Sequence, residues 1–313
     1  MKEYGFGVDV GGTTIKIGFF GTDGKLLDRW EGPTNREQNG ADILPDIAKA
    51  IDNKLAQEGI SRGQVQGIGI GVPGPVTGDG TVHGCVNLGW SIVNVQKQLG
   101  DLTGLPVKAG NDANVAALGE MWQGGAKGSR DVIMVTLGTG VGGGIISDGK
   151  VVTGHGGAGG EIGHIMVRND ETEACNCGRY GCLEQYTSAT GIVRLAKRKL
   201  SKSSEPTSLR DFSELTAKDI FDEAKKGDEV AAGLVDELGG ILGAALSNMA
   251  CVVNPEVIVI GGGVSAAGTI LIEAIQKHFI ENAFHACRGT RFALALLGND
   301  AGMYGCMQML LEL

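Results

Sequence analysis

The sequence predicts a two-lobed α/β protein with a cleft between its lobes, and three observations support that expectation. The chain has 313 residues, which is long for one core and sufficient for two. A strand–turn–strand pattern occurs twice, at 6–30 and at 132–154. Segments with the spacing of alternating strands and helices follow each copy, which is the element order of α/β proteins.

The two copies share one order of features. The first reads FGVDVGGTTIKIGFFGTDGKLLDRW and the second reads VIMVTLGTGVGGGIISDGKVVTG. Each contains an apolar strand, a Gly/Thr turn, a second apolar strand, an Asp-Gly turn and a third short strand. Because Asp-Gly between apolar runs is a strong hairpin signal, each copy is predicted to form a three-stranded meander, one in each lobe.

Residue spacing predicts the remaining elements. Strands are expected at 66–72, 106–109 and 257–260, and helices at 113–122, 187–199, 229–253 and 303–311. The polar segment 201–208 is expected to be a surface loop. The small lobe is predicted to comprise residues 1–118 plus 301–313, and the large lobe residues 119–300.

Composition argues against several classes of protein. The net charge is −9 and aromatic residues make up 5%, so a nucleic-acid partner is not expected. No signal peptide and no uninterrupted apolar run of membrane-spanning length is visible, so no membrane partner is expected. The 54 glycines are clustered rather than periodic, which indicates loops that approach ligands closely.

The segment 161–184, EIGHIMVRNDETEACNCGRYGCLE, contains the spacing of a metal site. Its candidate ligands are His164, Cys175, Cys177 and Cys182. One imidazole and three thiolates match the tetrahedral preference of Zn²⁺, and four filled positions predict a structural ion. The other four cysteines fit small buried thiols in a reducing compartment, so a cytoplasmic location is expected.

Two carboxylates flank this metal site. Glu161 lies three residues before one ligand, and Glu184 lies two residues after another. Closing the site would bring the two carboxylates together, where they could bind the hydroxyls of a sugar. The alternative is a zinc-stapled loop with solvated glutamates.

The first meander turn, DVGGTTIK, has the composition of a phosphate site. Backbone N–H groups, hydroxyls and one cation are expected from Gly11, Gly12, Thr13, Thr14 and Lys16. Asp9 would repel a phosphate, so its presence predicts Mg²⁺ between the two, with water linking the carboxylate to the ion. An ordinary glycine-rich hairpin turn is the alternative.

The second meander turn, LGTGVGGG, is the equivalent segment of the other copy. Its candidate phosphate-binding residues are Gly138, Thr139, Gly140 and Gly143. A dinucleotide-binding turn is disfavoured because a strand, not a helix, follows the glycines. Two such turns across a cleft fit a nucleoside triphosphate better. Gly262 and Gly263, after the strand at 257–260, either admit the adenosine or form a plain turn.

Asn111 and Asp112 follow a short strand and open a predicted helix. Asp112 could simply cap that helix. It could also accept the proton of a hydroxyl that attacks a phosphoryl group, with the helix N-terminus keeping it ionised. Asn111 could orient a sugar ring beside it. His155 is expected to pack rather than to contact substrate.

Seven motifs occur in the order found in ROK-family sugar kinases, and the chain resembles that family over nearly its whole length. The motifs are DVGGTTIK, GVPGP, NLGW, GND, LGTGVGGG, GGEIGH and CNCGRYGCLE. The resemblance implies an actin-like, hexokinase-type fold with Mg-ATP in the cleft, and a homodimer. It implies that Asp112 is the catalytic base and that the sugar is held by Asn111, Asp112, Glu161, His164 and Glu184. His164 would bind zinc through one ring nitrogen and sugar through the other.

The reaction implied by the resemblance is transfer of the γ-phosphoryl group of ATP to the 6-hydroxyl of glucose. N-acetylglucosamine, N-acetylmannosamine or another hexose is the alternative substrate, and polyphosphate is the alternative donor. A sugar-responsive transcriptional repressor is a further alternative, which would need a helix-turn-helix before the first meander. The first strand is expected by about residue 5, which disfavours that alternative.

Overall fold

The computed structural model describes residues 2–311, which form two five-stranded sheets and a two-stranded sheet. The strands are β1 (Tyr4–Val10), β2 (Thr14–Gly21), β3 (Leu26–Pro33), β4 (Val65–Val72), β5 (Thr81–Cys85), β6 (Trp90–Asn94), β7 (Val107–Asn111), β8 (Val132–Leu137), β9 (Val141–Ser147), β10 (Lys150–Val151), β11 (Val257–Gly261) and β12 (Arg291–Leu294). The α-helices are α1 (Ile43–Glu58), α2 (Val95–Thr103), α3 (Asp112–Gln123), α4 (Glu184–Thr187), α5 (Ala189–Lys202), α6 (Ala217–Lys225), α7 (Glu229–Val253), α8 (Thr269–Asn282) and α9 (Ala301–Leu311).

The two large sheets have the same topology, which confirms the predicted repeat. The first has the order β3-β2-β1-β4-β7 and the second β10-β9-β8-β11-β12. In each, an antiparallel meander is extended by two parallel strands. The Asp-Gly turns lie where they were predicted, and Asp148 and Gly149 both have positive φ, as a tight hairpin turn requires.

Each large sheet has its own hydrophobic core. Ile43, Ile47 and Ile51 of α1 pack with Phe6 and Ile68 of the first sheet. In the second, α5 to α8 pack against β8 and β11. Two separate cores, each built on one sheet, agree with the predicted two-lobed α/β architecture.

Helix α7 is apolar and long enough to span a membrane, with a mean hydropathy of 1.4 over an 18-residue window. No uninterrupted apolar run of that length was expected, and Asp236 and Glu237 interrupt this one. In the structure, 61% of that window is buried inside the protein. Its apolar side chains, such as Leu238 and Leu242, belong to the core of the second sheet. The helix is therefore a core helix.

Helices α3 and α9 lie between the two sheets. Ala117 and Leu118 of α3 pack with β8, β9 and β11 of the second sheet. Helix α9 packs on the first sheet, where Gly7 and Gly69 leave room for its backbone, since a Cβ at either would overlap a carbonyl of α9. The chain therefore crosses between the sheets twice, from β7 into α3 and from β12 into α9.

The predicted lobe boundary after residue 118 falls inside α3. Because Ala117, Leu118 and Met121 of α3 pack with the second sheet, we propose that this boundary lies at the start of α3, between Asn111 and Asp112. The predicted return of the chain to the small lobe at residue 301 coincides with the first residue of α9. Residues 1, 312 and 313 of the predicted small lobe lie outside the described residues.

Helix α7 has the predicted bounds, and α3 and α9 extend theirs by one or two residues at the ends. The predicted helix at 187–199 is two helices, α4 and α5, separated at Ser188. Helix α5 also continues to Lys202, so the predicted loop at 201–208 begins later. Helices α1, α2, α6 and α8 were not assigned from the sequence.

Gly305→Ala is predicted to destabilise the protein, because a Cβ at 305 would overlap the carbonyl oxygen of Val115 in α3. Overpacking of this kind costs about 1–3 kcal/mol, and here the overlapped atom is backbone, which yields less than a side chain. Urea unfolding would measure the loss.

Gly233→Ala is the matched control. Gly233 lies in α7, is exposed, and has no neighbour within 4 Å of its Cβ position. The substitution is expected to stabilise the protein by about 0.5–1 kcal/mol through helix propensity. Equal effects from the two variants would show that the contact between α3 and α9 does not require glycine.

Candidate active site and metal centre

Within the metal-site segment, residues 174–180 fold into a short hairpin. Ala174 pairs with Tyr180, and the N–H of Cys175 donates to the carbonyl of Arg179 at 2.7 Å. Gly178 takes a φ of +82° at the tip of this turn, a conformation that other residues rarely adopt. The turn therefore brings Cys175 and Cys177 to the same side of the loop.

The four predicted metal ligands are brought together. One donor atom from each of His164, Cys175, Cys177 and Cys182 lies within 4.8 Å of the others. The sulfurs of Cys177 and Cys182 are 3.7 Å apart, and the Cys175 sulfur is 3.9 Å from His164 Nδ1. Zn–S bonds of about 2.3 Å in a tetrahedron place sulfurs about 3.8 Å apart. This donor set therefore fits zinc in both chemistry and spacing.

His164 and Glu184 meet at the edge of this cluster. Nδ1 is the His164 ring nitrogen that faces the sulfurs, which leaves Nε2 for a second partner. Glu184 Oε1 lies 3.8 Å from that Nδ1 and accepts a hydrogen bond from the Cys175 thiol at 2.9 Å. Its Oε2 lies 3.5 Å from the Val141 nitrogen, beside the second meander turn. Glu184 thus connects the metal centre to that turn.

Asn111, not Asp112, caps α3. The Asn111 side chain accepts from the N–H of Asn114 at 3.1 Å, and Asp112 is the first helical residue. The capping role considered for Asp112 is therefore wrong. Asp112 Oδ1 accepts from Asn111 Nδ2 at 2.9 Å and from the N–H of Ala113 at 2.8 Å. Its Oδ2 accepts from no other residue in the described range, so it remains available.

The carboxylate of Asp112 lies near those of Asp9 and Glu161. Burial raises the pKa of Asp112, and the nearby charge of Glu161 raises it further. Burial, followed by the charge of Asp112, raises the pKa of Asp9 to about 6. Burial therefore acts against the expected effect of the helix N-terminus, which favours the ionised form of Asp112. The raised pKa makes Asp112 a stronger proton acceptor.

The first meander turn presents free backbone donors. Gly11 donates to the carbonyl of Thr14 at 2.9 Å, so its N–H is used inside the turn. Within residues 2–311, the N–H groups of Gly12 and Thr13 have no partner. A Cβ on Gly12 would meet nothing closer than Asn87 at 3.9 Å, so protein packing does not require glycine there. A ligand that approaches the backbone closely would require glycine at this position.

Lys16 lies on β2 directly after this turn. The positive charge of Lys16 partly offsets the rise in the pKa of Asp9. The Lys16 ammonium also donates a hydrogen bond to the carbonyl of Asn299 at 3.0 Å. It therefore sits beside the carboxylate that the sequence analysis assigned to Mg²⁺.

The second meander turn is held from one side by α5. The carbonyl of Gly138 accepts from the N–H of Ala189, and the carbonyl of Thr139 accepts from the Thr190 hydroxyl, both at 2.8 Å. The N–H groups of Thr139 and Gly140 have no partner in the described part of the chain. The turn thus offers free donors, as the first turn does.

The remaining glycines predicted to bind the nucleotide are Gly143, Gly262 and Gly263. Internal packing explains why a glycine is needed at some of these positions but not at others. At Gly143 a Cβ would meet Ile162 at 2.5 Å, and Gly262 has a φ of +81° with Leu137 at 2.5 Å, so internal packing explains both. Gly263 has open space around it. Because Leu137 directly precedes Gly138, the loop at 262–263 lies beside the second turn. A ligand contact there remains a prediction.

Two further residues differ from the sequence analysis. His155 is exposed, so the expectation that it packs is wrong. Asn87 of the NLGW motif is exposed and lies next to Gly12. The motif was recognised, but no role was given to this side chain, which belongs to the segment between β5 and β6 that covers the first turn.

A hydrogen-bonded cluster centred on Glu171, named here the Glu171 clamp, holds the metal loop, which is the part of segment 161–184 that carries the candidate metal ligands. The Glu171 side chain is 1% exposed and accepts two hydrogen bonds from Arg198 of α5, at 2.8 and 2.9 Å. Arg194 and the Tyr186 hydroxyl also bind this carboxylate. The hydrogen bonds from Arg198 hold the pKa of Glu171 well below its ordinary value of 4.5. The clamp fastens the segment before Cys175 to α5.

The sequence model of the ROK family matches residues 5–312. The chain belongs to the ROK family. A glucokinase from Halalkalibacterium halodurans is 46% identical over 96% of this chain and 92% of its own length. A glucokinase from Thermotoga maritima is 36% identical over 98% of this chain and 96% of its own.

Solved ROK structures share the fold. A ROK glucokinase from Streptomyces griseus, crystallised with glucose and AMPPNP, is 34% identical, covers 98% of each chain and superposes with a TM-score of 0.74. A ROK hexokinase from Thermus thermophilus is 30% identical, covers 97% of this chain and 96% of its own, with a TM-score of 0.78. The two-lobed, hexokinase-type ROK fold predicted from the motifs is therefore confirmed.

Glu171→Gln is predicted to destabilise the protein by about 1–3 kcal/mol at pH 7, because Arg194 and Arg198 lose their buried charged partner and keep only the exposed Glu173. The range extends down to about 1 kcal/mol because the Arg198 side chain is 34% exposed, and solvent weakens an ion pair made by an exposed side chain. Since the folded-state pKa of Glu171 is depressed, its stabilisation is present above pH 4.5 and is lost as the pH falls below that value. The difference from wild type should shrink accordingly, as measured by urea unfolding between pH 7 and pH 3.

Asp101→Asn is the control for this measurement. Asp101 pairs with Lys97 on the surface of α2, where both side chains are mostly exposed. Such pairs contribute little, so no clear change in stability is expected at either pH. A pH-independent loss for Glu171→Gln would contradict the ionic origin of the clamp.

Proposed function

We propose that this chain transfers the γ-phosphoryl group of ATP to the 6-hydroxyl of glucose, giving glucose 6-phosphate and ADP. The observation that carries the proposal is the environment of Asp112: a buried carboxylate with one available oxygen, set among Asp9 and Glu161 where the chain first crosses between the sheets. The near full-length similarity to glucokinases supports glucose as the acceptor.

Asp112 serves as the general base. Its available Oδ2 accepts the proton of the 6-hydroxyl as that oxygen attacks the γ-phosphorus. The raised pKa strengthens this oxygen as an acceptor, and such a base contributes about 10²–10⁴ in rate. Asn111 fixes the carboxylate by donating to its Oδ1.

The sugar is held by polar groups that converge from both sides of His164. Glu161 is exposed and lies near enough to Asp112 for its charge to raise the pKa of Asp112, and Glu184 and His164 lie at the edge of the candidate metal centre. Carboxylates accept hydrogen bonds from hydroxyls, so a sugar with an inverted hydroxyl leaves one of them unpaired. Sites of this kind reject the wrong substrate strongly.

The nucleotide phosphates bind the free N–H groups of the two meander turns. Those groups belong to Gly12 and Thr13 in the first turn and to Thr139 and Gly140 in the second. When bound with ATP, Mg²⁺ supplies positive charge between Asp9 and the phosphates. Lys16 and the hydroxyls of Thr13 and Thr14 complete the first turn.

Zinc is the ion that the cluster of His164, Cys175, Cys177 and Cys182 fits. With four protein ligands no position remains for substrate, so the ion is structural. Its role is to fix His164 and, through it, the loop that carries Glu161. The homodimer is an expectation from the family resemblance, and the cytoplasmic location is an expectation from the cysteine content.

A panel of hexoses tests the proposed reaction. We expect ADP release to be fastest with glucose, and at least about tenfold slower with N-acetylglucosamine and N-acetylmannosamine, since an added group must fit a pocket built for a hydroxyl. Polyphosphate in place of ATP tests the donor. A higher kcat/KM for an acetylated sugar would reject glucose as the substrate, and no turnover with any sugar would favour a sugar-binding regulator.

Asp112→Asn is predicted to lower kcat by about 10²–10⁴ while the dissociation constant for glucose stays within a few-fold. The amide keeps the size and the hydrogen bonds of Oδ1 but cannot accept a proton. Coupled ADP release and calorimetric glucose titration measure the two quantities. Turnover close to that of wild type would remove Asp112 from the base role.

Cys177→Ser is predicted to lose both zinc and affinity for glucose, because a hydroxyl is a poor zinc ligand and the freed loop no longer positions His164. Elemental analysis gives the metal content and titration gives the glucose dissociation constant. Cys251→Ser is the control, since Cys251 is an exposed thiol outside the cluster. A zinc-free Cys177→Ser protein with wild-type glucose affinity would refute the coupling.

A further inference from the structure

Glu120 is a completely buried carboxylate with no role in the proposed chemistry. It lies near the end of α3, with an exposure of 0%. Its Oε2 accepts from the N–H groups of Gly125 at 2.7 Å and Leu296 at 3.0 Å, and its Oε1 accepts from that of Leu297 at 2.8 Å. No lysine or arginine in the described range forms an ion pair with it. Three backbone donors alone stabilise this carboxylate, and burying it without them would be costly.

These donors belong to two separate segments of the chain. Gly125 lies in the turn that leads from α3 to β8. Leu296 and Leu297 lie in the segment 295–300, by which the chain returns from β12 to α9 and the first sheet. The other crossing is at Asp112, eight residues earlier on the same helix, or about 12 Å along its axis. Helix α3 therefore connects both crossings between the lobes.

The returning segment also reaches the phosphate side of the cleft. Asn299 accepts a hydrogen bond from Lys16, and Asp300 pairs with Arg29 of β3. Gly302, in the first turn of α9, lies directly against the Asp9 carboxylate. A continuous series of contacts therefore runs from Asp112 through α3 and Glu120 to the start of α9 and Asp9.

We propose that Glu120 is a positioning residue that fixes the separation of Asp9 from Asp112 when the lobes close on substrate. It does so by holding the returning segment against α3. The inference rests on the proposed function, since Asp112 must be the base and Asp9 must lie on the phosphate side. Phosphoryl transfer depends on the alignment of acceptor and phosphate, and a displacement of about 1 Å costs about 10² in rate.

The residues around Glu120 accommodate its carboxylate closely. A Cβ on Gly124 would overlap Glu120 Oε2, and a Cβ on Gly125 would overlap the carbonyl of Leu294. Gly124→Ala is therefore a second route to the same displacement, without any change of charge. The two variants should have the same effect if the position of the carboxylate is what matters.

Glu120→Gln tests the inference. Glutamine has nearly the same shape but only one acceptor oxygen, so at least one of the three N–H groups loses its partner. We expect kcat with glucose and ATP to fall about 10–100-fold, with the glucose dissociation constant within about threefold of wild type. The amide protons of Leu296 and Leu297 should exchange faster with solvent. Gly124→Ala should show the same split between kcat and glucose affinity.

Glu223→Gln is the matched control. Glu223 is also a buried carboxylate, bound by the Ser208 hydroxyl and by Lys226, but it lies on α6, away from both crossings. We expect this variant to change the unfolding temperature and to leave kcat within twofold. Wild-type kcat in Glu120→Gln, or a loss no greater than that in Glu223→Gln, would overturn the inference.

Lobe closure provides a readout that does not need turnover. Small-angle scattering should show a glucose-dependent decrease in the radius of gyration of the wild type, and a smaller decrease in Glu120→Gln. Equal decreases would also overturn the positioning role. An inactive wild type that still closes on glucose would refute the proposed reaction and not the role of Glu120 in closure, so the two failures are distinguishable.

Discussion

The relative position of the two sheets depends on the contact between α3 and α9. Gly119 and Gly305 let these helices approach until backbone atoms of one lie against backbone atoms of the other. Because α3 packs on the second sheet and α9 on the first, this contact joins the two cores. Asp112 begins α3, and Asp9 lies against the start of α9. The spacing of the two helices therefore also sets the spacing of the carboxylates in the cleft.

Those carboxylates are poorly accommodated without a ligand. Asp112 raises the pKa of Asp9, Glu161 raises that of Asp112, and burial raises both. A bound sugar supplies hydroxyl donors, and a metal-bound triphosphate supplies positive charge. Under the proposed function, ligands would relieve this repulsion. A ligand that relieved it most in a closed state would bind that state more tightly, which is the physical requirement for substrate-driven closure.

Local signals in the sequence were sufficient for the hairpins, for α7 and for the metal cluster, since turn chemistry, apolar spacing and ligand spacing each act over a few residues. Asn111 and Asp112 are equally good helix caps, so which of them caps α3 depended on the tertiary structure. Burial of Asp112 was likewise not visible locally. The hydrogen bonds of Glu120 could not be predicted, because its partners at Leu296 and Leu297 are more than 170 residues away.

The metal centre and the second meander turn belong to one supporting unit. Cys182 is followed within two residues by Glu184, whose carbonyl accepts a hydrogen bond from the Ser188 hydroxyl at 2.7 Å. Ser188 caps α5, and the next residue, Ala189, binds the carbonyl of Gly138. The Glu171 clamp fastens the other end of the metal loop to the same helix. Under the proposed function, a structural ion at His164, Cys175, Cys177 and Cys182 would therefore support the proposed sugar-binding side chains and the proposed phosphate-binding turn together.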